Sequence, residues 1–268
     1  MNLLQRGQGR RGRRRPSARR QVENGSLSLF LQRWLIFLGA VLAWQVAASA
    51  AADPFFPPPA TIVRHLGALS GDVLPSLARL GAGFLLGALI GAVLGVAIGR
   101  SRWAYEFLDP VLQFFRAIPP PTLVPVFIVL FSIGPVMQVA SIVFSVLWPV
   151  LLNTADGART VEPLQIETAR AFRLTAAERL GFVILPATMP KLFAGLRLAL
   201  SLSLILMVFS ELQPGVANGI GFRLQEATTR FDYETVWASI VLLGVLGYLL
   251  NAVLQLVERR VLAWRAAT

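Results

Sequence analysis

The sequence contains no cysteine and only one histidine, His65. Disulfides, thiolate metal sites and cysteine nucleophiles are therefore excluded, and one imidazole cannot build a histidine-rich metal cluster. His65 reads as a surface residue. Charge is also scarce: Asp, Glu, Lys and Arg make up 15% of the 268 residues, against about 25% in soluble domains. Hydrophobic residues reach 55%, and the mean hydropathy is +0.64. A chain of this kind is solvated largely by lipid, and its long apolar runs exclude one or two soluble domains. No glycine-rich phosphate loop followed by Lys-Ser or Lys-Thr is present, so ATP is not expected to bind here. The apolar runs also lack the Ser/His pairs, paired carboxylates or metal-ligand sets that an intramembrane enzyme would need.

What charge there is lies unevenly. The formal net charge is +11, and Arg6, Arg10, Arg11, Arg13, Arg14, Arg15, Arg19 and Arg20 supply much of it. Residues 1–32 read as a disordered, arginine-rich cytoplasmic tail near anionic lipid, and residues 33–268 as the membrane domain. RNA binding through the tail is the alternative function class.

Crossing a hydrocarbon core takes about 20 apolar residues. Six stretches qualify: Trp34–Ala51, Leu77–Ile98, Val111–Phe131, Met137–Leu152, Leu196–Leu212 and Thr235–Val257. The first has small residues after it but a lead-in too long for a signal peptide, and is expected to remain as an anchor. With the N-terminus inside, Arg33, Arg100, Arg102, Arg159, Arg170, Arg173, Arg179, Lys191, Arg197, Arg259, Arg260 and Arg265 also fall inside. Only Arg64, Arg79, Arg223 and Arg230 fall outside, as the positive-inside rule requires. Both termini are then cytoplasmic.

Gly83, Gly87, Gly91, Gly95 and Gly99 recur every fourth residue along the second span. They form one groove that lets another backbone approach closely, a packing role. The third span contains Pro119, Pro120, Pro121 and Pro125, which remove backbone donors and break a helix. The break is either a discontinuous helix beside a translocation path or a short interfacial lead-in to the span. Arg116 and Glu211 are the ionisable residues closest to membrane depth, where such groups face a partner or a cavity. They join the four prolines as candidate pathway residues.

Residues 153–195 interrupt the apolar pattern. Pro163 suits the first turn of a short helix, on which Ile166, Ala169 and Phe172 share one face and Glu167, Arg170 and Arg173 another. Thr175-Ala176-Ala177-Glu178 fits a capping box opening a second helix, which Pro186 is expected to stop.

This loop resembles the "EAA" loop of inner-membrane permease subunits of bacterial ABC importers. That motif runs Glu-Ala-Ala, three residues, Gly, nine residues, Ile, one residue, Leu-Pro. Glu167, Ala169, Leu185 and Pro186 match in register and Val183 is a mild change, whereas Thr168 replaces an Ala and Arg173 stands at the Gly. "FFPPPATIV", "RAIPPPTLVPVFIVLFSIG", "LLNTADGAR", "LPATMPKLFAGLRLAL" and "VERRVLAW" are similar to the nitrate/sulfonate/taurine branch of that family. The resemblance implies an all-α integral membrane protein, a six-helix type I permease bundle with a cytoplasmic coupling-helix loop. It implies a second permease chain as partner in a homodimer, two cytoplasmic ATPase subunits that hold ATP and Mg, and a periplasmic substrate-binding protein. Glu167, Ala169, Phe172, Arg173, Val183, Leu185 and Pro186 would then be the ATPase-coupling residues, and no cofactor would be bound by this chain. Aliphatic sulfonates or taurine come first as solutes, followed by nitrate, bicarbonate or a pyrimidine vitamin precursor. An arginine at the motif glycine costs roughly 1–2 kcal/mol if a left-handed backbone is kept; a small backbone shift is the expected accommodation.

Overall fold

The computed structural model describes residues 18–51 and 53–264, with side chains described from Trp34 onward. The arginines up to residue 15, and the lipid or RNA role expected of them, lie outside the described residues. The chain divides into two compact units, residues 1–60 and 61–268. In the first, helix α1 (Ala18–Ala51) begins well before the expected boundary near residue 33. Its opening sequence, ARRQVE, is rich in helix formers and carries the helix past the end of the apolar run. Residues Trp34–Ala51 are apolar enough to cross a membrane.

The described regular structure of the second unit is helical throughout: α2 (Pro59–His65), α3 (Ser70–Arg100), α4 (Arg102–Ala117), α5 (Val124–Phe131), α6 (Pro135–Arg159), α7 (Pro163–Ala171), α8 (Ala176–Arg179), α9 (Leu185–Glu211), α10 (Ile220–Thr229) and α11 (Tyr233–Val261). Among the described residues of the whole chain, Trp34–Ala51 included, five helical stretches are long and apolar enough to span a membrane, and α4 with α5 makes a sixth if that bent pair is one span.

The expected spans proved shorter than the helices. The fourth runs Pro135–Arg159 and the fifth begins at Leu185, because Asp156 and Lys191 carry α6 and α9 past the apolar zone as an ion pair of 2.8 Å. Nor does Pro186 stop a helix. Leu180–Ile184 form a π-helical turn in which the Leu185 N–H donates to the Leu180 carbonyl. That wider turn absorbs the donor missing at Pro186, so the chain remains helical from α8 into α9. His65 is not merely a surface residue either: its ring lies 3.0 Å from Glu234 at the start of α11.

The centre of the unit is the seam between α3 and α6, which run parallel. All five glycines of the α3 stripe are buried. A Cβ on Gly87, Gly91 or Gly95 would lie 2.9, 2.9 and 2.6 Å from the carbonyl oxygens of Val143, Leu147 and Leu151. On Gly83 it would come 2.5 Å from Ile142 Cγ2, and on Gly99 it would run into the Ala155 backbone. The α6 residues therefore step by four in register with the glycines, one helix ridge lying in the other's groove. Even a methyl here would overpack the seam, at about 1–3 kcal/mol. Antiparallel α9 packs on α6 by the same device, Gly157 facing Thr188 and Gly195 facing the Pro149 carbonyl.

A polar lock closes the end of the bundle remote from α7. Glu211 is fully buried, accepts from the Ser76 hydroxyl at 2.8 Å and from the Gly221 N–H at 3.0 Å, and pairs with Arg79 at 2.9 Å. Beside it Asp72 accepts from the Gly219 N–H at 3.0 Å and pairs with Arg223 at 2.9 Å. The free amides at the start of α10 thus receive oxygens from α3 and α9, joining three helices. Gly219 adopts φ 120°, and a Cβ there would strike the Glu211 carboxyl, so only glycine lets α10 start here. Breaking a buried ion pair from one side costs about 3–5 kcal/mol, because the other charge stays buried alone. Glu211→Ala is therefore expected to lower the unfolding midpoint of the purified chain in detergent by more than Arg102→Ala, whose pair with Glu106 is exposed. Thermal unfolding followed by circular dichroism checks this.

Candidate coupling hairpin and helix break

Two places in the second unit bring candidate functional residues together. The first is the α7–α8 hairpin. Helix α7 ends in a Schellman motif: the Leu174 N–H reaches the Ala169 carbonyl at 3.0 Å and the Arg173 N–H reaches the Arg170 carbonyl at 2.8 Å. This geometry needs a left-handed residue after the cap, and Arg173 adopts φ 59°. The expected small backbone shift does not occur; the arginine keeps the conformation for which glycine is better suited. The same solution recurs after α10, where Phe231 also has φ 59° and the Asp232 N–H reaches the Ala227 carbonyl at 2.9 Å.

Across the corner, Thr175 and Glu178 form the expected capping box, with the Thr175 N–H 2.7 Å from the Glu178 carboxylate and the Glu178 N–H 3.3 Å from the Thr175 hydroxyl. The inner side of the hairpin packs on its own bundle. Ala169 is buried, and Ile166 and Val183 pack with Ala158, Val161 and Ile184. Phe172 does not continue the Ile166–Ala169 face: it is 78% exposed, as are Leu164 at 64% and Phe182 at 76%. The reason is that Phe172 is the cap residue, where the chain leaves helical geometry. Glu167 is exposed on α7, while Leu185 and Pro186 lie where the hairpin rejoins α9. The hairpin therefore has an inner anchor of Ala169 and Val183 and an outer apolar surface around Leu164, Phe172 and Phe182. Leu164 and Phe182 were not picked out from the sequence, because period alone does not separate an exposed apolar residue from a core one.

The second place is the break between α4 and α5. The two helices are bent by 84°. Arg159 lies over the Tyr105 ring at 4.3 Å, and Phe115 stacks on Trp148 at 5.3 Å. Helix α4 thus climbs along α6 from its end to its middle before the prolines interrupt it. The bent pair is either one broken span or a re-entrant segment, so both sequence readings of the proline run stand. Pro119 and Pro120 line a cavity of about 470 Å³ together with Arg116, Trp148, Asn153 and Ser201. Pro121 sits in the 3-10 turn Pro120–Leu123 and Pro125 in the first turn of α5, where a missing N–H is tolerated. Arg116 is exposed and makes no ion pair with a described carboxylate, and the Trp148 indole N–H has no acceptor among the described residues. Asn153 donates to the Pro149 carbonyl at 2.8 Å. Glu211 does not belong to this cavity: the polar lock encloses it, which corrects its grouping with Arg116. Trp148, Asn153 and Ser201 were missed because they come from two other helices, and only packing brings them to the break.

Comparison with known proteins follows this geometry. Residues 83–263 match the family described as binding-protein-dependent transport system inner membrane component. The putative aliphatic sulfonates transport permease protein SsuC of Bacillus subtilis is 32% identical over 84% of each chain. The bicarbonate transport system permease protein CmpB of Synechococcus elongatus is 29% identical over 92% of this chain and 98% of its own. Among solved structures, a chain from inward facing conformations of the MetNI methionine ABC transporter superposes with a TM-score of 0.62 at 20% identity, over 74% of this chain and 98% of that one. This multi-pass chain belongs to the binding-protein-dependent transport system inner membrane component family, as an ABC importer permease subunit of the sulfonate/taurine/nitrate type.

Proposed function

We propose that the subunit forms half of a homodimeric, six-helix type I pathway for a small anionic solute, an aliphatic sulfonate or taurine first. In this reading the α7–α8 hairpin and both termini are cytoplasmic. Two separate ATPase subunits receive the hairpin, and a periplasmic binding protein delivers the solute to the polar-lock end. ATP and Mg reside on the ATPase subunits.

The observation that carries the anionic reading is Arg116. It stands at the break of a spanning segment without a carboxylate partner, beside the free Trp148 indole N–H in one cavity. At the other end of the bundle Arg79, Arg223 and Arg230 all have acidic partners. An unpaired guanidinium at membrane depth is costly unless water or an anion meets it. Sulfonate oxygens would be met by the guanidinium, the indole and the Ser201 hydroxyl. The same donors suit nitrate or bicarbonate, the second reading, to which the bicarbonate permease relative points. A neutral pyrimidine would leave the guanidinium uncompensated.

Coupling is supported by the stiffness of the hairpin and its exposed surface. The capping box and Schellman corner hold α7 and α8 at a fixed angle, so a push on Leu164, Glu167 or Phe172 reaches α9 through the continuous helix. Glu167→Ala combined with Phe172→Ala is expected to reduce uptake at least tenfold and uncouple it from ATP hydrolysis, with membrane insertion intact; unchanged stimulation by the binding protein would sink the coupling role. Arg173→Gly is expected to preserve uptake and raise the unfolding midpoint, by relieving a strain of roughly 1 kcal/mol. Loss of coupling in that variant would instead show that the guanidinium touches the ATPase. Arg116→Gln should lower uptake at least tenfold in proteoliposomes while stimulated ATP hydrolysis continues; a normal uptake rate would remove Arg116 from the pathway.

A further inference from the structure

A second and larger cavity, about 680 Å³, lies between α3, α9 and the hairpin, away from the break. Val93, Val96 and Ala97 of α3 and Leu185, Met189 and Leu192 of α9 form aliphatic walls. One end differs in kind. Arg100 from the last turn of α3, Arg170 from α7 and Arg179 from α8 all reach the lining. Arg100 donates only to the Ala158 carbonyl at 3.3 Å and Arg179 to the Leu174 carbonyl at 2.8 Å. None of the three makes an ion pair with a described carboxylate. Of the acids nearby, Asp156 pairs with Lys191 and Glu178 sits in the capping box, while Glu162 and Glu167 pair with none of the three. Thr154 also lines the cavity; it is only 1% exposed, and its hydroxyl has no partner among the described residues.

We propose that this cavity holds a phospholipid, its acyl chain along the α3–α9 walls and its anionic headgroup among Arg100, Arg170 and Arg179. The proposal rests on the membrane placement given above, which puts the hairpin at the surface of a leaflet. Two features favour a lipid over an acidic patch of a partner protein. The outward face of α3, Leu85, Leu86, Leu89, Ile90 and Val93, is exposed and apolar, and leads directly into the cavity. From Val93 to Arg100 the helix rises about 10 Å, the spacing that lets an acyl chain lie in the walls while its phosphate meets the arginines. Basic pockets between spanning helices at a leaflet surface are suited to anionic headgroups. The ligand would tie the end of α3 to both halves of the hairpin, so that coupling depends on anionic lipid.

The test uses the intact permease–ATPase complex in nanodiscs of phosphatidylcholine alone and of phosphatidylcholine with phosphatidylglycerol. Native mass spectrometry counts retained phosphatidylglycerol, and ATP hydrolysis stimulated by the binding protein is measured in parallel. The wild type is expected to retain phosphatidylglycerol and to be stimulated several-fold more in its presence. Arg100→Gln with Arg179→Gln should lose both. Val96→Trp, which fills the cavity and leaves the arginines in place, should also lose the retained lipid. Equal lipid retention in wild type and both variants, or none in the wild type, overturns the proposal. So does release of the ATPase subunits from the arginine variant in phosphatidylcholine alone, which would make the arginines protein contacts. If lipid is retained as expected but no solute is taken up, the transport reading fails and the lipid site stands.

Discussion

Apolar side chains gain little by leaving lipid for one another, so helix association in a membrane depends on how closely two backbones can approach. The α3–α6 seam meets that requirement with glycine alone. Five buried glycines face α6 residues that also step by four, and this register fixes the depth and rotation of both helices. From that pair the rest is placed in turn. Helix α9 returns against α6 through Gly157 and Gly195, α4 lies along α6, and α10 and α11 pack on α9. The cavity around Arg116 lies where the break at Pro119 meets α6 and α9, whose Ser201 and Leu202 line it.

The charges divide by role along this frame. At the end remote from the hairpin, Asp72, Arg79, Glu211 and Arg223 neutralise one another and cap the first amides of α10. Neighbouring Asp72 holds the Arg223 guanidinium above its ordinary pKa, with a further contribution from Glu226. That end is a closed polar lock that gathers three helices. At the hairpin end and at the break, Arg100, Arg116, Arg170 and Arg179 line cavities without an ion pair to a described carboxylate.

Much of this was legible in residue order. The glycine stripe announced a close seam, the Thr175–Glu178 spacing gave the capping box, and the proline run marked the break, since each is a local rule with a local cause. Helix ends were less legible. Apolar runs mark only the part of a helix that lipid can solvate, but α6 and α9 continue past theirs to the Asp156–Lys191 pair, and α1 starts upstream of its apolar stretch. Pro186 was misleading because the π-helical turn before it removed the conflict that a proline creates in an ordinary helix.

What the sequence determined by itself was the helical class, the approximate spans, the corner at Arg173 and the family, because propensity, period and motif are carried by neighbours in the chain. What only the tertiary structure decided was partnership. The glycines found α6, Glu211 found Ser76 and Arg79 more than a hundred positions away, and Arg116 shared a cavity with Trp148 and Ser201. Phe172 faced outward although its spacing placed it with Ala169, because the helix had already ended. Such contacts depend on how separate helices are rotated and staggered against one another, and no local spacing records that.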